Sequence, residues 1–167
     1  MKHTNKLPTV EVLNKLFIYD EKNGLLKRRE SKGNKCAGSV VGVVSTHGHL
    51  SVEISGKSYG VHRIIWKMYY GDDPVSDIDH INHDPKDNSI ENLRIATVSQ
   101  NLANSKIYKC NKTGFKGVSE TRSGKFRARI RVNSVLLYLG EYKTKFEASS
   151  EYRKAANKYF GDFANAN

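Results

Sequence analysis

Apolar residues in the first half of the chain recur at spacings that predict short helices and strands. The spacing of Val10, Leu13, Leu16 and Phe17 predicts a helix that begins at Pro8-Thr9. A second helical pattern covers residues 61–70, with Gly71 in place to end it. Short apolar runs separated by glycines predict strands between the two helices, at 25–28, 39–44 and 50–54, with a hairpin turn at 55–57.

A polar run, DIDHINHD at 77–84, interrupts this apolar pattern. It is expected to end one strand and to open a polar loop. The apolar residues at 93–96 predict a second strand, and the capping box at 97–100 starts a short helix. The order is therefore strand, loop, strand and helix, with Asp79 and His80 at the end of the first strand.

The last third of the chain predicts three antiparallel strands followed by a helix. The strands are expected at 116–120, 125–132 and 136–142, and a capping box at 144–147 starts a helix that runs to about residue 160. Short strands mixed with helices give an α+β fold class, in which this three-stranded sheet packs on one helix.

The middle strand of that sheet alternates strictly between apolar and basic residues. Its basic residues share one face, where a row of like charges is best tolerated opposite phosphates. A sheet face can enter the major groove of DNA, so this face is expected to bind nucleic acid rather than only water. The expected DNA contacts are four basic residues of this strand and one residue of the preceding turn. The strand residues are Lys125, Arg127, Arg129 and Arg131, and the turn residue is Arg122.

Composition and charge support a polyanionic partner. The 167 residues are 38% hydrophobic and carry a net charge of +11. Residues 105–167 hold 14 basic against 5 acidic residues, whereas residues 1–104 hold 14 against 12. Such asymmetry favours nucleic acid as a partner. The sequence contains neither the ~18-residue apolar run of a membrane helix nor an apolar signal segment, and its two cysteines fit a reducing cytoplasm.

The polar run could be a solvated turn, but Asp79, His80 and Asn101 are also the residue types that phosphodiester hydrolysis needs. A hard divalent cation prefers carboxylate and amide oxygens and stabilises charge on the phosphate. A histidine with a pKa of about 6.5 can take a proton from water near neutral pH. Because neighbouring side chains on a strand point to opposite faces, one of the adjacent pair can bind the ion while the other meets the water.

The motifs of this region resemble those of the HNH family of nucleases, in particular the homing endonucleases of phages and introns. They are Asp79-His80, Asp87-Asn88, the ENLR run at 91–94, Asn101 and Asn104. Two upstream segments, at 20–26 and 62–66, resemble the same family. The resemblance covers most of residues 10–105 and implies a ββα-metal nuclease module of phage or mobile-element origin.

The resemblance also implies a role for each matching residue. The residue matching His80 is the general base, and those matching Asp79 and Asn101 hold one divalent ion, Mg²⁺ or alternatively Mn²⁺. Asn92 belongs to the same catalytic site, where it pins the loop so that the histidine is correctly posed.

Two further residues of this region have open roles. His83 stands where the family pattern often has a small residue, and it is a bystander, a phosphate contact or a second base. Asn104 shares a helical face with Asn101, so it either approaches the metal or phosphate or is structural. The other polar residues are assigned structural or surface roles: Asp77, Asp84 and Asp87 as loop carboxylates, His62 as structural, and His47 and His49 as surface residues.

Residues 113–165 resemble the Apetala-two/ethylene-response-factor DNA-binding domain, in which a three-stranded sheet packed on a helix reads the major groove. Phe126 stands where that pattern has a tryptophan, and it alternates onto the apolar side of its strand, where packing is expected. The resemblance rests on FKGV at 115–118, KFRARI at 125–130, LGEY at 139–142, Glu147-Ala148, Tyr152, Gly161 and residues 163–165.

These observations predict a two-domain nuclease that acts on double-stranded DNA in the cytoplasm, or in the host cytoplasm if a phage encodes it. The expected domains are an HNH module at 1–105 (lead-in 1–75, metal-binding core 76–105), a linker at 106–112 and a DNA-binding domain at 113–167. A monomer that nicks or cleaves is favoured, with no membrane association. The alternatives are a DNA-binding regulator that does not cut, a zinc-binding module built on His80, His83 and acids, and an RNA target.

Overall fold

The chain has an α+β fold that divides into two compact units, residues 1–95 and 96–167. The computed structural model describes residues 6–46, 48–108 and 110–165. In chain order its α-helices and strands are α1 (Val10–Leu16), β1 (Phe17–Asp20), β2 (Leu25–Arg28), β3 (Val43–Val44), β4 (Leu50–Ile54), β5 (Lys57–Gly60), α2 (Val61–Tyr70), β6 (Asp77–His80), β7 (Leu93–Ala96), α3 (Val98–Asn104), β8 (Val118–Glu120), β9 (Phe126–Val132), β10 (Val135–Tyr142) and α4 (Lys145–Phe160).

The first unit combines three small sheets with two helices. β1 pairs with β2, β4 lies between β3 and β5, and β6 pairs with β7. Ile64 and Ile65 of α2 are fully buried, and they join Leu13 of α1, Leu26 of β2 and Ile78 of β6 in one apolar core. This core fixes β6, the strand that carries the polar run, from its apolar side.

In the first unit, α1 begins and α2 ends at the residues that the local sequence predicts. The Thr9 hydroxyl accepts a hydrogen bond from the Val12 amide at the start of α1. Gly71 ends α2 in a left-handed conformation, with φ of 90°. Two predictions, one of a helix and one of a strand, were partly wrong. Phe17 starts β1 rather than continuing α1, and within 39–44 only Val43–Val44 forms a strand.

The second unit is a three-stranded antiparallel sheet, in the order β10-β9-β8, packed on α4. Ala128 and Ile130 of β9 are buried against this helix, and Phe126 packs at the edge of the same apolar side. Gly117, with φ of 69°, lies so close to Tyr152 of α4 that a Cβ would come within 2.2 Å of its ring. The predicted sheet-on-helix arrangement is therefore confirmed.

The short helix α3 belongs to the second unit. The ammonium of Lys116 donates hydrogen bonds to the carbonyls of Ala103 (2.5 Å) and Ser105 (2.6 Å) at the end of α3. Burial lowers the pKa of Lys116 to about 8. The Asn165 side chain donates a third bond, to the carbonyl of Asn104. The domain boundary expected at 106–112 stays a prediction.

Among the described residues, no helix is both long and apolar enough to cross a membrane. The two cysteines, Cys36 and Cys110, are exposed and unpaired.

Candidate active site

The polar run ends β6 with two buried ionisable residues. Asp79 and His80 are each only 5% exposed, although strongly polar side chains at the end of a strand are usually solvated. Burial of a carboxylate beside an imidazole has a free-energy cost unless both have polar partners. Each of them has such a partner in the first unit.

His80 is held by Asn88. The Nε2 atom of His80 lies 3.1 Å from Oδ1 of Asn88, which is itself 1% exposed. The Asn88 amide nitrogen donates to the carbonyl of Lys86, so its oxygen is the atom that faces the histidine. Because that oxygen can only accept, Nε2 of His80 carries the proton, and a neutral His80 has its lone pair on Nδ1.

Asp79 is held by Arg94. Its Oδ2 atom accepts a hydrogen bond of 2.9 Å from Nε of Arg94 on the paired strand β7. The arginine is part of the ENLR run, but its contact with the carboxylate could not be read from the sequence. The ion pair compensates the buried charge of Asp79 and fixes the carboxylate's orientation.

Asn92 fastens the loop that follows His80. Its side-chain oxygen accepts a bond of 2.9 Å from the amide of Asn82, and its side-chain nitrogen donates to the carbonyl of Asp87 at 2.8 Å. Its backbone carbonyl also accepts from the amide of Ile81. One buried side chain thus joins both ends of the loop. These contacts position other residues, so the structure gives Asn92 a positioning role.

The carboxylates of the loop accept hydrogen bonds from other residues of the same loop. Asp84 accepts from the amide of Lys86, and Asp87 accepts from Ser89 and from the Asn82 side chain. The hydrogen bond from the Ser89 hydroxyl is the largest of the effects that lower the pKa of Asp87. Asp77 is exposed at the start of β6. All three lie where loop or surface carboxylates were expected.

The hairpin of β1 and β2 supports the segment that carries Asn88. The Tyr19 hydroxyl accepts from the amide of Ile90 at 3.0 Å and donates to the carbonyl of Asn88 at 3.4 Å. At Gly24, where φ is 64°, a Cβ would lie 2.5 Å from the amide nitrogen of Ser89. A side chain at position 24 would therefore collide with the backbone beside Asn88, so the close packing requires glycine there.

Three histidines converge in the first unit. The ring centroids of His49, His62 and His80 are 5.2 to 5.4 Å apart, and one ligating atom of each lies within 4.8 Å of the others. The expectation that His49 is a surface residue is wrong, because it is half-buried in this cluster. His47 lies outside the described residues. The three positions have no regular spacing in the sequence, so no local signal could have found the cluster.

His62 is the most strongly perturbed member of this cluster. Its Nδ1 atom is buried and makes no hydrogen bond to any residue that the structure describes. Burial, followed by the effects of His49, His80 and Arg63, lowers the pKa of His62 to about 3. His62 is therefore neutral throughout the physiological range.

The remaining candidates are His83 of the polar run and two asparagines of α3. His83 is half-buried with a left-handed φ of 61°, and its amide donates to the His80 carbonyl at 3.1 Å. Asn101 and Asn104 lie on α3 in the second unit, where Asn101 is half-buried and Asn104 is 5% exposed. A capping box between Thr97 and Gln100 starts that helix, as the sequence predicts.

In the second unit, the outer face of the sheet carries the predicted basic row. Arg127, Arg129 and Arg131 of β9 point away from the buried Ala128 and Ile130. The face is not purely cationic, because Glu141 on β10 accepts two hydrogen bonds, of 3.0 and 3.2 Å, from Arg127. The guanidinium of Arg131 donates to the carbonyl of Ser134.

Exposed apolar residues accompany the basic row. Tyr138 and Leu136 of β10 pair with Arg129 and Arg131 and are 62% and 48% exposed. Sequence analysis missed both residues as candidates for binding. Arg122 and Lys125 are exposed in the segment between β8 and β9.

Comparisons with known proteins point to one family. The sequence pattern of the HNH endonuclease family matches residues 59–103, a segment that includes Asp79, His80, Asn92 and Asn101. A protein of Acanthamoeba polyphaga mimivirus, named as an uncharacterized HNH endonuclease, is 33% identical over 109 residues. That alignment covers 64% of this chain and 56% of the viral protein, so the chain spans little more than half of that relative. No solved structure matches the chain significantly.

Proposed function

We propose that this protein is a metal-dependent endonuclease of the HNH type that nicks or cleaves duplex DNA. The observation that carries the proposal is the His80–Asn88 hydrogen bond beside the buried Asp79, within the segment that matches the HNH family. A buried imidazole with a fixed tautomer, next to a buried carboxylate, can act as a general base beside a bound metal ion.

In this mechanism His80 is the general base. Asn88 holds the Nε2 proton of His80, so the ring accepts the proton of the attacking water at Nδ1. Asn92 keeps the loop after His80 closed, and thereby keeps the imidazole in place. General-base catalysis of this kind contributes roughly 10²- to 10⁴-fold to the rate.

The residues beside His80 fit a divalent cation. Asp79 offers a buried carboxylate whose orientation Arg94 fixes, and hard cations prefer such oxygen ligands. We propose Asp79 and Asn101 as the protein ligands, with Mg²⁺ as the ion and Mn²⁺ as a substitute. A bound ion would stabilise negative charge on the phosphate and the leaving oxygen. Asn104 is proposed as a structural residue of α3, since it is buried.

The sheet of the second unit is the proposed grip on DNA. Arg129 and Arg131 would contact bases or phosphates from the outer face, while Arg122 and Lys125 would contact phosphates from the exposed segment beside it. Arg127 can join them only if it leaves Glu141. Residues 105–167, which carry the larger excess of basic residues, would therefore hold the substrate for the catalytic residues.

The order of domains proposed from the sequence, a nuclease module at 1–105 and a DNA-binding domain at 113–167, agrees with this division of roles. One active site per chain favours a monomer that nicks a single strand. The homing type of activity is proposed from the sequence motifs, and a viral relative that is named an endonuclease is consistent with it.

The test is the conversion of supercoiled plasmid or phage DNA to nicked and linear forms, with Mg²⁺, with Mn²⁺ and with EDTA. We expect metal-dependent product from the wild type, and loss of at least about 100-fold in His80→Ala. His83→Ala is the matched control and should keep its activity. Loss in His83→Ala alone would move the base to position 83. Salt-sensitive DNA binding without cleavage on any tested DNA would favour a regulator that does not cut.

A further inference from the structure

We propose that His49, His62 and His80 form a binding site for a borderline transition-metal ion, with Zn²⁺ as the main candidate. We further propose that an ion bound there switches the nuclease off by occupying His80. The binding site depends on the histidine geometry alone, whereas the switch rests on the proposed function of His80 as the base.

The geometry of the cluster is close to that of a three-histidine metal site. One ligating atom of each ring lies within 4.8 Å of the other two. In a tetrahedral zinc site with Zn–N distances of about 2.0–2.1 Å, ligating nitrogens are roughly 3.4 Å apart. Side-chain rotations that move each nitrogen by about an ångström would close the site. A fourth position would stay open for water, as three-ligand sites keep it.

The three histidines come from different elements of one compact unit. His49 precedes β4, His62 lies in the first turn of α2, and His80 ends β6. Val61, Ile64 and Ile78, which flank His62 and His80, are all buried in the core of that unit. The core therefore holds the backbone of these two ligands in place, and binding would need few new constraints on the chain.

The cluster is suited to bind a metal rather than protons. Imidazole binds metals only in its neutral form, and His62 is half-buried, with a buried Nδ1 atom that makes no hydrogen bond to any described residue. Three imidazoles in mutual contact cannot all carry a positive charge in a buried site. A single divalent ion can instead accept one lone pair from each of the three rings.

The donor set selects the class of metal. Three imidazole nitrogens suit Zn²⁺, Cu²⁺, Ni²⁺ and Co²⁺, whereas Mg²⁺ prefers oxygen ligands. The proposed catalytic ligands Asp79 and Asn101 offer oxygens. Mg²⁺ would thus use Asp79, and a transition-metal ion would use the adjacent His80 on β6. The two conflict at His80, because a ring that binds a transition metal cannot act as the base.

The inhibitory effect follows from the tautomer of His80. Its Nε2 proton is donated to Asn88, so the neutral ring has one lone pair, on Nδ1. That lone pair can accept the proton of water or bind a metal ion, but it cannot do both. Asn88 would accept the Nε2 proton of His80 both when the ring acts as a base and when it binds a metal ion. A ligating histidine usually donates the N–H of its second nitrogen to such a fixed acceptor.

The binding site is tested with Co²⁺, whose visible absorption reports tetrahedral nitrogen coordination, and by competition of Zn²⁺ for the same site. We expect one equivalent of Co²⁺ with intense visible bands, which Zn²⁺ removes. His49→Gln should weaken Zn²⁺ binding roughly 100-fold, and the control Asn23→Ala, at an exposed position between β1 and β2, should leave it unchanged. Circular dichroism shows whether each variant is folded, and His62→Asn is a second variant if His49→Gln is not.

The switch is tested by titrating Zn²⁺ into a nicking reaction at fixed Mg²⁺. The wild type should lose activity as one equivalent binds, and His49→Gln should need about 100-fold more Zn²⁺. Binding that His49→Gln does not weaken would overturn the site. If one equivalent of Zn²⁺ binds and the DNA is still fully cleaved, the proposed switch is wrong, whereas the proposed metal site stands. A wild type that binds Co²⁺ but cuts no DNA would refute the proposed function and the switch, and the metal site would stand.

Discussion

The side-chain oxygen of Asn88 lies 3.1 Å from Nε2 of His80, and both residues are buried. This hydrogen bond determines which nitrogen of the histidine carries a proton, and therefore on which side of the ring it can act as a base. Asn88 positions His80, and it is in turn supported by Tyr19 on the β1–β2 hairpin.

Removing the Asn88 acceptor should change the tautomer of His80. We expect Asn88→Ala to lower cleavage by roughly 10- to 100-fold, as loss of an orienting partner does at other histidine sites. Asn88→Asp should retain more activity, because it keeps an oxygen that accepts from Nε2. Nitrogen chemical shifts of the His80 ring provide a readout that mere destabilisation would not change. An unaltered tautomer in Asn88→Ala would contradict the positioning role.

The loop after His80 depends on Asn92. Asn92→Ala removes the acceptor for the Asn82 amide and the donor to the Asp87 carbonyl, so it should lower the free energy of unfolding by about 1–3 kcal/mol. Urea denaturation measures this change. Asn23→Ala is a suitable control, because Asn23 is exposed and its side chain donates to the carboxylate of Asp20 on the neighbouring strand, and it should cost under about 0.5 kcal/mol. Equal effects of the two substitutions would argue against the role of Asn92.

Stability should fall on mild acidification because His62 is held neutral. Its pKa is about 3 in the folded chain against 6.5 when unfolded, so the unfolded state binds more protons between these values. The contribution of neutral His62 to the free energy of unfolding is complete above pH 6.5 and is lost as the pH falls towards 3. His49, His80 and Arg63 surround the ring, and none of them offers a negative charge.

This pH dependence amounts to about 2 kcal/mol between pH 7 and pH 5. It is measured by urea unfolding in EDTA at several pH values. His62→Asn should flatten the profile, and His83→Asn should preserve it. A wild type that is equally stable at pH 7 and pH 5 would refute the neutral state of His62.

Arg129 should contribute to DNA affinity in a salt-dependent way. If it contacts one phosphate, Arg129→Ala should reduce the slope of log affinity against log salt by about 0.9 on duplex DNA. Arg153→Ala removes the same charge from an exposed position on α4 rather than from the sheet face, and it should leave the slope nearly unchanged. Fluorescence anisotropy at several salt concentrations separates the two variants. Equal slopes would show that net charge, and not the sheet face, governs binding.

Glu141 should restrain DNA binding by the same face. Glu141→Gln removes a negative charge and releases Arg127 from its ion pair, so affinity should rise several-fold at low salt. Glu151→Gln on α4 breaks a comparable exposed pair with Lys154 and is the matched control. A fall in affinity for Glu141→Gln would mean that the acid orients Arg127 for DNA.

Local sequence patterns determined the helix starts, the faces of the strands and the position of the polar run. Both capping boxes, at Thr97 and Thr144, form as the sequence predicts, because a hydroxyl three residues before a Gln or Glu satisfies free amides at the helix start. The strict alternation of β9 fixed which residues face α4, since side chains on a strand alternate sides. The segment that holds Asp79 and His80 was also recognisable, because its residue types are adjacent in the chain.

Tertiary structure alone decided the partners of those residues. His49 and His62 join His80 only because the core packs β4, α2 and β6 together, and their separation along the chain follows no period. The ion pair of Asp79 with Arg94 forms because β6 pairs with β7, and that of Arg127 with Glu141 depends on the register of β9 against β10. A sequence specifies which groups are present, whereas distances between remote groups are set by how the apolar faces pack.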